Sequence, residues 1–98
     1  MYSTKYRIVK IEEFNRHNPI YDDVEGHICY PAYLNVGERG WFLHEDPDDL
    51  FGYPHRIHTS IVKDVTYTRG NQIVVTTQNT RFTFEVISRR ETTDVGDE

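Results

Sequence analysis

Apolar and polar positions alternate most cleanly late in the chain. Ile73 and Val75 share one face of residues 72–77, and Phe82, Phe84 and Val86 share one face of residues 80–88. A period of two belongs to a strand with one buried face, so the two segments predict a hairpin turning at Gln78-Asn79. Earlier, Lys5-Tyr6-Arg7-Ile8-Val9-Lys10-Ile11 reads as a strand with apolar groups on both faces. Residues 27–35 read as another, with Ile28, Tyr30, Ala32 and Leu34 on one side and Cys29 on the other. Pro31 has no N–H for a ladder, which puts that strand at an edge or bulges it there. Val36-Gly37-Glu38-Arg39-Gly40 is a turn, and Trp41-Phe42-Leu43-His44 continues as a third strand. Residues 56–68 make a long fourth strand whose alternation changes phase near Ser60, predicting a break or bulge.

Two polar connections separate these strands. Residues 12–26 hold Asn18-Pro19 and Asp22-Asp23, dipeptides that favour turns through local hydrogen bonds and a fixed φ. Residues 45–55 form the second, where Asp46 or Asp48 as N-cap predicts a short helix or 3₁₀ turn within residues 46–51. Residues 89–98 lack a periodic apolar face and predict a disordered tail after one domain of residues 1–88. Five or six short strands in 98 residues predict an all-β fold, a strongly bent sheet or small barrel, SH3-like or OB-like, because closure removes exposed edges. Ile8, Leu43, Ile73, Val75, Phe82 and Phe84 are the expected core.

Composition sharpens this. Ten Thr, nine Val and eight Ile stand against three Leu and one Ala, and β-branched side chains favour pleated strands over helices. Seven Tyr and five Phe exclude a wholly disordered chain despite a mean hydropathy of -0.68. Apolar runs of only three or four residues predict neither a membrane-spanning helix nor a signal peptide. The single Cys29 excludes an internal disulfide and fits a reducing, cytoplasmic setting.

The net charge of -5 argues against a binder of nucleic-acid backbones, since the Lys and Arg are dispersed and only Arg89-Arg90 adjoin. The acids, in contrast, are gathered. Asp22, Asp23 and Glu25 lie beside Tyr21; Glu45, Asp46, Asp48 and Asp49 lie beside Phe51 and Tyr53; a third group occupies the C-terminal segment. Carboxylates around exposed aromatics suit a basic protein surface, with rings anchoring and charge steering the encounter. The bland alternative is that acidic loops keep a small domain soluble.

Candidate chemistry elsewhere is thinner. His27-x-Cys29 puts two possible ligands on one strand face, and His55-x-x-His58 with His44 offers three more for a zinc-stabilised domain. Structural zinc sites are usually built from paired cysteines, and here there is one. Glu45-Asp46-Pro47-Asp48-Asp49 lacks the spacing of a calcium loop. No nucleophile elbow, phosphate-binding glycine loop or metalloprotease motif is present, so the chain is expected not to be an enzyme, and no cofactor is expected. Tyr33, Trp41 and Phe42 offer an alternative role as a stacking platform for single-stranded nucleic acid.

Val36-Gly37-Glu38-Arg39-Gly40-Trp41-Phe42, His55-Arg56-Ile57-His58-Thr59-Ser60 and Ile73-Val74-Val75-Thr76-Thr77-Gln78-Asn79-Thr80 resemble small uncharacterised β-barrel proteins of Gram-positive bacteria and their phages. The resemblance spans about half the chain and rests on turns and strands, so it carries no active site. It implies a mobile-element setting, where small acidic inhibitors of host defence such as anti-CRISPR proteins occur. The resulting expectation is a non-enzymatic interaction module, with or without self-pairing as a homodimer. Its surface is expected at Tyr21, Asp22, Asp23, Glu38, Arg39, Glu45, Asp46, Asp48, Asp49, Phe51 and Tyr53.

Overall fold

The computed structural model describes residues 2–68 and 70–91, with the side chains of residues 4–68 and 70–87. Six strands, β1 (Tyr2–Glu13), β2 (Ile28–Tyr33), β3 (Arg39–His44), β4 (His55–Tyr67), β5 (Gln72–Thr77) and β6 (Thr80–Glu91), close in chain order into an antiparallel barrel. The all-β barrel expected from the alternation is therefore present. The hairpin at Gln78-Asn79 is present too, with Thr76 opposite Arg81 and Val75 opposite Phe82.

Closure rests on β1 and β6, paired from Tyr2 with Glu91 to Glu13 with Thr80. The seam between β1 and β2 is short, with Tyr6 opposite Cys29 and Arg7 opposite Ile28. The Ile8 amide donating to His27 O at 3.0 Å extends it. Pro31 sits beside an irregularity in the β2–β3 register, as its missing N–H predicts. β4 also shifts register, against β3 between Arg39 and Trp41 and against β5 between Val62 and Asp64. Its inward face passes from Ile57 and Thr59 to Val62 across Ser60, where the alternation changes phase.

Inside, the rings of Phe42, Phe82 and Phe84 pack together, Phe42 meeting each of the others edge-on at 5.4 Å between centroids. Ile8, Ile57, Val62 and Val75 fill the space around them. Of the expected core, Ile8, Ile73, Val75, Phe82 and Phe84 are buried, and Leu43 is not. The inward phase of β3 is Gly40, Phe42 and His44, so Leu43 faces outward between Tyr30 and Arg56. Gly40 sets that phase: a Cβ there would stand 2.6 Å from Tyr33 O, and its amide donates to the buried Thr59 hydroxyl at 3.0 Å.

The connections differ from expectation in one respect. The helical turn is at Pro19–Tyr21, capped by the Asn18 side chain, while residues 46–51 form no helix. Proline at the first turn position supplies the fixed φ there, and in residues 46–51 the aspartate side chains bind local amides instead. β6 stays paired through Glu91, and residues 92–98 of the expected tail lie outside the described residues. Among the described residues no helix is long and apolar enough to cross a membrane.

Candidate functional site

The β3–β4 connection is ordered by its own acids. Asp46 Oδ1 accepts the Asp48 amide at 2.9 Å, and Asp49 Oδ1 accepts the Phe51 amide at 2.8 Å. Backbone bonds from Asp49 N to Asp46 O and from Gly52 N to Asp49 O close two consecutive turns, the second helped by Gly52 at φ 71°. Asp49 Oδ2 also bonds His55 Nε2 at 2.7 Å. The Phe51 amide and then the His55 ring hold the Asp49 carboxyl below its usual range. At the loop's start the Tyr30 hydroxyl donates to Glu45, and burial, reinforced by that carboxylate, pushes the phenol up to about 12.

These bonds hold outward three side chains that the fold has no place for. Leu50, Phe51 and Tyr53 are 95%, 80% and 71% exposed, with the Phe51 and Tyr53 rings stacked at 6.3 Å. Large apolar groups grouped at one exposed tip are a common mark of an interaction site. Leu50 was not among the expected site residues. Its signal was a leucine between two aspartates and a phenylalanine, in a segment with no strand to bury it.

The expected surface divides once folded. Asp22, Asp23 and Glu25 belong to the connection that delivers the chain to β2, with Glu25 accepting the Ile11 amide at 2.7 Å. That connection runs into His27, whose ring stacks on His44 at 5.4 Å, and His44 lies against His55 at 5.6 Å. The two acidic segments thus approach opposite ends of a row of three imidazoles. Tyr21 turns inward, its ring edge-on to Phe82 at 5.5 Å. Glu38 and Arg39 do not join this surface. They stand at the start of β3, six residues' length from His44 at its end, with Glu38 bonded to the Tyr33 hydroxyl at 2.6 Å.

The histidine row was legible only as separate histidines, because its members come from three elements brought into register by the barrel. His27 and His44 share a hydrogen bond between their Nδ1 atoms at 3.2 Å, which requires one atom protonated and the other bare. Burial, followed by His27 and His55, lowers the His44 pKa below 6.5, while Asp46 acts weakly the other way. The unfolded chain therefore binds this proton more tightly than the folded one. The stabilising contribution is complete above about pH 6.5 and is lost as pH falls through the folded value. Urea midpoints should drop between about pH 7 and pH 5, and His44→Gln should flatten that drop. Exposed His17 has the opposite sign, since hydrogen bonds to Glu13 and then Asp22 raise its pKa, so His17→Gln should leave the acid loss in place.

Two other expectations meet the folded chain less well. Cys29 is fully buried, and burial alone pushes its thiol up to about 12, a poor state for a metal ligand. His58 lies on the outer side of β4, opposite Trp41, away from the row. Among the described residues no three His, Cys, Asp or Glu side chains are placed to hold a metal ion. The stacking platform also loses its members: Phe42 is fully buried in the core, and the Arg56 guanidinium covers Trp41 at 4.4 Å from the ring centroid. Tyr33, 38% exposed, and the half-buried Trp41 under Arg56 are what remain on the outer side.

Compared with protein families, with curated proteins and with solved structures, the chain matches none.

Proposed function

We propose that the chain is a non-enzymatic interaction module that docks its β3–β4 loop onto a basic protein surface. What supports this reading is the display of Leu50, Phe51 and Tyr53 on a loop already fixed by Asp46 and Asp49. A fixed loop gives up little conformational entropy on binding, so its apolar side chains can act as anchors. Asp48 is exposed beside them, and the chain carries a net charge of -5, which favours encounter with a positive partner.

Asp49 and Glu45 take a different role from Asp48: Asp49 is bonded to the Phe51 amide and to His55 of β4, and Glu45 to Tyr30 of β2. In its most specific form the partner is a nucleic-acid-binding protein of a host cell, whose basic groove the loop occupies. The mobile-element setting implied by the resemblance fits that form. The test is affinity capture from an extract of the source cell, with the wild type and a Phe51→Ala/Tyr53→Ala variant side by side. A basic protein enriched by the wild type, lost from the variant and released by salt supports the reading. Equal capture by both overturns it.

A further inference from the structure

A second surface lies at the other end of β3. A cleft of about 590 Å³ is bounded by the connection after β1, the start of β3, the middle of β4 and the β5–β6 turn. That volume is in the range of small-molecule sites, and its lining is polar, including Arg16, Arg39, His58 and Asn79.

The charges in the cleft run against those of the chain. Acids outnumber Lys and Arg by 16 to 11, yet neither Arg16 nor Arg39 forms an ion pair with an acid among the described residues. Glu13, the carboxylate in the lining, is engaged: it accepts from His17 Nδ1 at 2.9 Å and from the Asn18 amide at 2.5 Å. Those bonds outweigh the effect of burial and lower its pKa, while hydrogen bonds to Glu13 and then Asp22 raise the pKa of His17 beside it. Arg39 Nε donates to Thr59 O at 3.2 Å, which orients the guanidinium and leaves its two terminal amino groups for another acceptor. Two arginines that line one polar cleft and form no ion pair among the described residues can bind phosphate oxygens through forked, charge-assisted hydrogen bonds.

We propose that this cleft binds a phosphorylated small molecule, with Arg16 and Arg39 on the phosphate and His58 and Asn79 beside the rest of the ligand. The site is separate from the β3–β4 loop and does not depend on it.

An NMR titration of the full chain with AMP, inorganic phosphate and adenosine tests the site. AMP should shift the amides of Arg39, Thr59, Ser60 and Asn79 saturably, with a Kd below about 1 mM. Adenosine should not, and inorganic phosphate should bind more weakly than AMP. Arg16→Gln, in an exposed connection and without a side-chain hydrogen bond or ion pair among the described residues, should raise the AMP Kd at least about tenfold. Arg39→Gln should do the same, and the Arg16 variant covers the case in which losing the Thr59 bond disturbs the fold. Absence of saturable shifts overturns the site, as do shifts unchanged by both substitutions or adenosine binding as well as AMP. Equal affinity for AMP and inorganic phosphate reduces the ligand to the free ion and overturns the ester.

Discussion

Phe42→Ala should cost about 3–5 kcal/mol of folding stability, a large share of what a domain of this size possesses. Phe42 is fully buried and meets both Phe82 and Phe84 edge-on at 5.4 Å, while those two rings stack on each other at 5.9 Å. Truncation removes the transfer energy of a whole ring and leaves a void that strands on opposite sides of the barrel cannot close. The expected observation is a denaturant midpoint shifted far down, or loss of the cooperative transition. A surface ring would behave differently, with stability nearly unchanged and only ligand binding lost. Urea denaturation followed by near-UV circular dichroism separates the two results.

Phe51→Ala should act in the opposite sense, leaving stability within about 0.5 kcal/mol and weakening the proposed partner by about 2 kcal/mol or more. That loss corresponds to roughly thirtyfold in Kd. The ring is 80% exposed and, among the described aromatic groups, touches Tyr53 alone, so its removal disturbs the barrel little. Asp48→Lys should slow association and weaken its salt dependence, since that carboxylate lies outside the loop's own hydrogen bonds. Asp49→Lys is not an equivalent change. It deletes the cap on the Phe51 amide and the His55 bond, so it would loosen the loop as well as reverse a charge. Calorimetry on the purified pair and thermal melts of each variant measure these effects together.

The strands were legible because their alternation survives in the letters. Ile73, Val75, Phe82 and Phe84 read inward from period two alone, and so did the phase change at Ser60. The assignment of Leu43 to the core failed because β3 is short and apolar at three consecutive positions, Trp41, Phe42 and Leu43. There the phase is fixed by Gly40, whose close approach to Tyr33 O is a tertiary fact. The same ambiguity put Phe42 on a surface it does not reach.

The candidate surface was legible in composition but not in grouping. Glu45, Asp46, Asp48, Asp49, Phe51 and Tyr53 are contiguous, so one loop brings them together whatever the topology. Glu38 and Arg39 are close in number to that loop but separated from it by the length of β3, a consequence of strand direction. The histidine row and the arginine cleft each draw on several distant segments. Only the closed barrel puts their members side by side.

Amide hydrogen exchange of the chain, alone and with the captured partner, tests docking by the β3–β4 loop most directly. Slowed exchange concentrated in residues 46–54, with the β5–β6 hairpin unchanged, is the predicted result. Slowing confined to Tyr33, Trp41 and the neighbouring outer face of β4, with residues 46–54 unaffected, would contradict it.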